Sequence, residues 1–132
     1  MTAKIVKLNR YPGDKGTPAE ELTEMLLIKG IGIEGERKRK GERQVSLLTE
    51  EALNWAQNRE NLCCGKPFKT NILLDGCLRD AELLTLGDVV LRISARKFCV
   101  HEGTTCPLYE GAAFAEVLHG GRISVCDCFA VK

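Results

Sequence analysis

Length and charge already exclude several classes of protein. The chain has 132 residues, enough for one domain (1–132) whose core needs neither disulfides nor metal. Its 19 basic and 18 acidic residues leave a net charge of +1, so no overall field draws the protein to nucleic acid or to a membrane surface.

The cysteines and the N-terminus set the expected compartment. Seven cysteines, an odd number, follow an N-terminus that has no apolar run long enough for a signal peptide or a membrane span. We therefore expect a reducing, cytoplasmic setting with free thiols. Because the cysteines form no paired C-x-x-C knuckles, their spacing does not support a structural zinc site.

The first half of the chain predicts strands on either side of one short helix. Lys4–Asn9 is an apolar-basic run with β-branched residues, which predicts a first strand. Thr17–Glu20 has the cap, proline and acid of a helix start, yet Met25–Ile33 is apolar and contains two glycines, which favours a strand there. Gln44–Leu48 alternates like a strand, and Thr49–Gln57 predicts a capped helix.

The second half predicts further strands and a second short helix. Phe68–Leu74 predicts a strand, and Val89–Ser94 shows the clearest period-two alternation in the chain. Ala112–Gly120 places apolar residues on one helical face and ends in glycine, which predicts a helix. Arg122–Val131 predicts the last strand, whose two cysteines share a face as packing residues do. Together these elements predict a mainly β protein, a curled or closed antiparallel β-barrel with two short helices.

The alternating strand leads directly to a cysteine that is a candidate chemical group. Arg96 and Lys97 come just before Cys99, and positive charge favours thiolate, the nucleophilic and metal-binding form of cysteine. Cys106 lies a short loop further on. The residues themselves leave two interpretations open: a reactive thiol at a strand end, or a buried structural cysteine.

One dense charge run lies between the predicted strands. Glu34–Arg43 contains two glycines and predicts a loop. Arg37 and Lys38 begin four consecutive basic residues that, with Arg43, could hold a phosphate or another anion. A solvated loop is the alternative interpretation. Nucleic-acid binding is not supported, because no aromatic residue is interleaved for base stacking.

Several short motifs occur in an order that resembles a known family. They are Lys15–Pro18, Gly32–Glu36, Arg43–Leu48, Phe68–Ile72 with Gly76, Leu86–Asp88, Lys97–His101 and Gly120–Ile123. This series resembles a small stand-alone MOSC domain, the module named for the C-terminal part of molybdenum cofactor sulfurases. The resemblance covers nearly the whole chain, and the order of the motifs is more specific than any one of them.

The resemblance implies a barrel-like fold in which a cysteine carries or delivers sulfur, or binds the molybdenum of a pterin cofactor. Cys99 matches the key cysteine of the family. Cys106 resembles a second cysteine of the small stand-alone branch, suited to act as a resolving thiol or a second sulfur acceptor. Larger members obtain sulfur from a pyridoxal-phosphate-dependent cysteine desulfurase domain, for which 132 residues are too few. A desulfurase is therefore an expected partner, together with molybdenum-cofactor enzymes or biosynthesis proteins, and no pyridoxal phosphate site is expected in this chain.

Two positions depart from the family pattern. Where the family commonly has Gly-Asp-x-His, this chain has Gly35, Glu36, Arg37 and Lys38. The change removes a histidine and adds charge suited to the phosphate of a pterin. Where the family has a Gly-Asp turn in the last strand, this chain has Cys126-Asp127.

Two functional hypotheses follow, beside a third interpretation in which the chain is a degenerate family member with only a structural role. The first is a sulfur carrier or molybdenum-cofactor-handling protein, in which Cys99 forms a persulfide or ligates molybdenum as thiolate. The second is a non-catalytic module that binds a phosphorylated pterin-type cofactor through the basic loop. The residues expected to contact such a cofactor are Arg37, Lys38, Arg43, Asn71, Arg96 and Lys97.

Overall fold

A computed structural model describes residues 1–13, 18–36, 43–57, 69–96 and 111–132 of the chain. Strands dominate these residues. The strands are β1 Thr2–Arg10, β2 Glu20–Leu22, β3 Glu24–Ile28, β4 Gly32–Ile33, β5 Val45–Thr49, β6 Ile72–Asp75, β7 Leu83–Leu86, β8 Val89–Arg96, β9 Ala112–His119, β10 Gly121–Ser124 and β11 Cys128–Val131, and the helix is α1 Glu50–Gln57.

Seven strands close into a barrel in the order β1, β11, β7, β8, β9, β5 and β6. The ring closes through β1, where Lys4 pairs with Asp75 of β6 along one edge and with Cys128 of β11 along the other. The prediction of a mainly β, closed barrel is confirmed. Its antiparallel character needs a correction, because β5 and β6 run parallel and the barrel is mixed.

Period-two alternation along the strands builds the core. On β5, Val45 and Leu47 enter the core, while Ser46 and Leu48 lie on the opposite face. Burying an aliphatic or aromatic side chain contributes about 1.5–3 kcal/mol, so this core is the main source of stability. Fully buried core side chains include Ile5, Leu8, Leu47, Ile72, Leu74, Leu84, Leu91 and Phe129.

The helix α1 follows the sequence prediction. Thr49 Oγ1 accepts a hydrogen bond from Ala52 N at 3.2 Å, which caps the first turn. The helix belongs to the connection between the parallel strands β5 and β6, a pairing that requires a crossover. Its apolar stripe packs on the outer face of the barrel, where Ala52 contacts a second cluster with Leu48 and Leu73, and Trp55 packs half-buried at its rim.

The predicted helix over Ala112–Gly120 is wrong, because these residues form strand β9. Alanine favours helices locally, but β9 lies between β5 and β8 and gains hydrogen-bonded ladders on both edges. Ala115 and Val117 enter the core, whereas Phe114 and Glu116 lie on the other face. The described part of the chain thus contains the single helix α1, rather than two.

The predicted last strand, Arg122–Val131, is two strands separated by a turn. Its first part, β10, joins β3 and β4 in a separate three-stranded sheet, and its second part, β11, belongs to the barrel. The turn over Ser124–Asp127 allows the chain to change sheets. Across the described residues, no helix has both the length and the apolar character needed to cross a membrane.

Candidate functional site

A row of paired residues crosses four neighbouring strands of the barrel. Ala95 of β8 pairs with Phe114 of β9, and Phe114 pairs with Ser46 of β5. Asn71, the residue before β6, continues the row because its N–H donates to Ser46 O at 3.1 Å. The row lies on the face opposite Val45 and connects motifs that are far apart in the sequence.

Asn71 is the centre of a buried polar network. Its Oδ1 accepts the Ser46 N–H at 2.9 Å, and its Nδ2 donates to Asn9 O at 3.1 Å and to Glu36 Oε2 at 2.7 Å. The residue has no solvent exposure, so these bonds replace water for an amide that would otherwise be costly to bury. Its oxygen and both of its amide hydrogens are engaged within the protein.

Ser46 and Tyr11 extend this network along the chain that precedes β6. Ser46 Oγ lies 2.7 Å from Lys69 O and accepts the Asn71 N–H at 2.9 Å. The Tyr11 hydroxyl accepts the Thr70 N–H at 3.2 Å. We refer to Tyr11, Glu36, Ser46, Thr70 and Asn71 as the Asn71 cluster. In it, the Ser46 and Tyr11 side chains hold the backbone between residues 69 and 71, and Glu36 accepts a hydrogen bond from the Asn71 side chain.

Gly35 and Arg10 anchor the loop that carries Glu36. Arg10 Nη1 donates to Glu34 O at 3.3 Å, and Nη2 forms an ion pair with Glu20. Gly35 has φ +80°, and a Cβ added there would lie 2.7 Å from Arg10 Nη1. Only glycine therefore allows both this backbone conformation and the close approach of the guanidinium.

Gln44 holds the start of β5 against its neighbours. It is buried, and its Oε1 accepts the Val117 N–H at 3.0 Å. Gly32, with φ +119°, approaches so closely that an added Cβ would lie 2.9 Å from Gln44 O. The Gly32–Glu36 and Arg43–Leu48 motifs are thus packed directly against each other.

Of the three predicted cofactor-binding residues that the structure describes, Arg43 is exposed, Arg96 is half-buried and Asn71 is buried. Its guanidinium carbon lies 5.0 Å from the centroid of the Phe114 ring, within the range of a cation–π contact. The backbone of Phe114 in turn pairs with Ala95, near the end of β8. An exposed guanidinium is well suited to bind a phosphate or carboxylate.

Arg96 lies at the last position of β8 and is half-buried. Its Nη2 donates to Leu78 O at 2.9 Å and to Ala81 O at 2.8 Å. One nitrogen thereby ties the end of β8 to the segment between β6 and β7. Both Arg96 and Asn71 were predicted to contact a cofactor. Instead, one guanidinium nitrogen of Arg96 and the whole side-chain amide of Asn71 are engaged in hydrogen bonds within the protein.

The remaining predicted site residues lie outside the described residues. They are Arg37, Lys38, Lys97, Cys99 and Cys106. The described flanks of the cysteine-containing stretch are Arg96 and Gly111, which end β8 and precede β9. Within the described ranges, no group of three or more His, Cys, Asp or Glu side chains is arranged to hold a metal ion.

Sequence reasoning missed the partners of Asn71. From the sequence, Glu36 is assigned to the charged loop and to a motif, and Ser46 to a strand and to another motif, but neither residue is connected to Asn71. The signal that could have found this contact was the motif series itself, since Glu36, Ser46 and Asn71 each belong to one of its members.

Comparison with solved structures establishes the fold. The YuaD protein from Bacillus subtilis is similar over 98% of this chain and 94% of its own, with a TM-score of 0.71 and 14% identity. A second structure, of a hypothetical protein, has a TM-score of 0.63 and 15% identity over 99% of this chain and 67% of its own. At such identities the likeness concerns the fold alone. No family model matches the sequence, and no curated protein matches it significantly.

Proposed function

We propose that this chain is a MOSC-type protein of the reducing cytoplasm that carries sulfur or handles the molybdenum cofactor, with Cys99 as its working thiol. The observation that carries the proposal is the contact of the exposed Arg43 with the ring of Phe114, whose backbone pairs with Ala95 near the end of β8. Two residues separate Arg96 from Cys99 in the sequence, and the three Cα–Cα steps between them span at most about 11 Å. The motif order of the sequence and the barrel fold support the same assignment.

Sulfur transfer at Cys99 would be a balanced exchange with a cysteine desulfurase. The Cys99 thiolate attacks the terminal sulfur of the desulfurase persulfide, so that one S–S bond forms while the other breaks. The desulfurase thiolate leaves, and no further oxidant is needed. The Cys106 thiolate is then available for either of two steps. It can attack the inner sulfur of the Cys99 persulfide, which forms a Cys99–Cys106 disulfide and releases hydrosulfide, or it can attack the outer sulfur, which forms a Cys106 persulfide and releases the Cys99 thiolate.

The described residues divide between two roles in this proposal. Arg43 would hold an anionic group, such as the phosphate of a pterin cofactor, because its guanidinium is exposed. Asn71 and Arg96 act as positioning residues, since their contacts fix the segments before β6 and after β8. Bound at this place, a molybdenum cofactor would supply a metal that soft thiolate ligands suit.

Three further cysteines, Cys77, Cys126 and Cys128, are exposed and form no disulfide among the described residues. In the reducing cytoplasm that we propose, glutathione and thioredoxin would keep such thiols reduced. The expected partners are a cysteine desulfurase and proteins that make or use molybdenum cofactor.

Intact-mass spectrometry tests the sulfur-carrier function. The protein is incubated with a cysteine desulfurase, pyridoxal phosphate and cysteine, beside the variants Cys99→Ser, Cys106→Ser and Cys77→Ser. We expect a gain of about 32 Da that a thiol reductant removes and that Cys99→Ser abolishes. Cys77→Ser is the matched control, because it removes an exposed thiol and should leave the gain unchanged.

The second candidate is a binding module without covalent sulfur chemistry, and the exposed position of Arg43 favours it equally. In that case Cys99→Ser preserves affinity for a phosphorylated pterin, whereas the triple variant Arg37→Gln, Lys38→Gln, Arg43→Gln abolishes it. If no cysteine gains sulfur and the variants show these affinities, the chain is a binding module and not a sulfur carrier.

A further inference from the structure

The turn between β10 and β11 presents two exposed thiols that the proposed function does not use. Cys126 and Cys128 are both free and exposed, and only Asp127 separates them. The sequence predicted that they share a strand face and pack. Instead, the strand is interrupted at Cys126, and neither side chain belongs to the core.

Backbone hydrogen bonds hold this turn in place. Asp127 N donates to Ser124 O at 3.1 Å, and Cys126 has φ +78°, the pattern of a type II turn. Cys126 N donates to Ile5 O, and Ile5 N donates to Asp127 O, each at 2.8 Å. The backbone at both cysteines is therefore tied to β1. Two Cα–Cα steps span at most about 7 Å, so the two Cα atoms are close enough for one metal ion to be shared by their side chains.

The donor set around the turn is limited to the two sulfurs. Asp127 Oδ2 accepts the Ser124 N–H at 2.9 Å, so this carboxylate oxygen is already engaged in stabilising the turn. Among the described residues, no third His, Cys, Asp or Glu completes a metal-binding group. A closed zinc site needs four ligands, whereas Cu(I) is selected by soft thiolates and accepts two of them.

We propose that Cys126 and Cys128 form an exposed dithiolate site for a soft monovalent metal ion of the Cu(I) class. Both thiols lose their protons to solvent, two metal–sulfur bonds form, and no electrons are transferred. The complex carries one negative charge, and Lys4, the exposed cross-strand partner of Cys128, offsets it. The site is independent of the proposed function at Cys99.

A metal and a disulfide make different demands on the two sulfurs. Two metal–sulfur bonds of about 2.3 Å accept sulfurs about 4 Å apart, while a disulfide requires about 2.05 Å. Because backbone bonds to Ile5 and pairing with Lys4 hold this part of the chain, we expect the longer separation to suit the pair better.

Differential alkylation tests the site in the full-length protein. Trypsin yields residues 123–132, whose only cysteines are Cys126 and Cys128, and residues 70–79, whose only cysteine is Cys77. The reduced protein is titrated anaerobically with Cu(I), alkylated with iodoacetamide and cleaved. We expect both thiols of 123–132 to become protected together, with alkylation slowed about tenfold or more, while the Cys77 peptide is labelled as before.

Single variants decide whether the two sulfurs act as a pair. Cys126→Ser or Cys128→Ser should return the remaining thiol to the metal-free rate of alkylation, and Cys77→Ser should leave protection unchanged. Protection of the remaining thiol in a single variant, or equal protection of Cys77, would overturn the proposal. So would a peptide about 2 Da lighter and unreactive without Cu(I), because it would show a disulfide.

Discussion

The Asn71 cluster and the Cys126–Cys128 turn use polar residues in opposite ways. In the cluster, buried side chains hold the backbone, as Asn71 does by bonding to Ser46, Asn9 and Glu36. In the turn, the backbone bonds to β1 and leaves two side chains exposed. Substitutions in the cluster should therefore change stability, whereas substitutions in the turn should change reactivity.

The largest effect is expected at Asn71. Asn71→Ala leaves the buried Ser46 N–H and the Glu36 carboxylate without the amide that now bonds them, and should lower the free energy of unfolding by about 3 kcal/mol. Urea denaturation measures this loss. Asn9→Ala is the matched control, because among the described residues its side chain makes a single, long hydrogen bond, to Thr70 O at 3.4 Å. It should cost well under half as much. Equal costs would contradict the role given to the amide.

A smaller loss is expected at the end of β8. Arg96→Met removes two hydrogen bonds from a half-buried cation to Leu78 O and Ala81 O, and should cost about 2 kcal/mol in unfolding free energy. Arg92→Met on the same strand breaks an exposed ion pair with Glu116 and should cost about 0.5 kcal/mol or less. If thermal or urea unfolding ranks the two variants in reverse, Arg96 does not tie β8 to the segment before β7.

Comparing alanine substitutions at Gly35 and Gly30 distinguishes the cost of backbone strain from the cost of side-chain crowding. Gly35→Ala and Gly30→Ala both place a Cβ on a residue with positive φ. This strain should lower the free energy of unfolding by about 1 kcal/mol in each variant. The Cβ at Gly35 also meets Arg10, while at Gly30 it meets nothing within 4 Å. We therefore expect Gly35→Ala to cost about 1 kcal/mol more than Gly30→Ala in denaturant unfolding. Equal losses of unfolding free energy in the two variants would show that the Arg10 side chain can move away from the new Cβ without loss of stability.

The smallest change in stability is expected at the turn. Cys126 has a left-handed backbone conformation at the third position of the turn, where glycine is favoured. Cys126→Gly therefore removes the backbone strain of a side chain at this position. It should raise the free energy of unfolding by about 0.5 kcal/mol, or leave it unchanged. The same variant should abolish Cu(I) protection of Cys128. A destabilisation of more than about 1 kcal/mol would mean that the thiol has a structural role.

Local sequence patterns were enough to predict those elements whose own residue preferences match the structure that they adopt. Val89–Ser94 alternates because one of its faces enters the core, and Thr49 caps α1 with its own side chain. The barrel class followed from the number of short strands. These features depend on neighbours in sequence, so periodicity and capping rules could find them.

The remaining features depend on pairing between distant residues. Ala112–His119 favours a helix locally, and becomes a strand because β5 and β8 pair with its two edges. The break at Cys126 was missed because the residue is neither glycine nor asparagine, although its φ is +78°. The contact of Asn71 with Glu36 joins residues 35 positions apart, which no local rule predicts.

The most direct test of the central claim locates the transferred sulfur. Wild-type protein is loaded by a desulfurase and digested with trypsin without reductant, which separates residues 60–69, 70–79, 98–122 and 123–132, each carrying its own cysteines. The account predicts a gain of about 32 Da on 98–122, which holds Cys99 and Cys106, and its loss in Cys99→Ser. Sulfur spread evenly over the exposed thiols, or found on 123–132 instead, would contradict it.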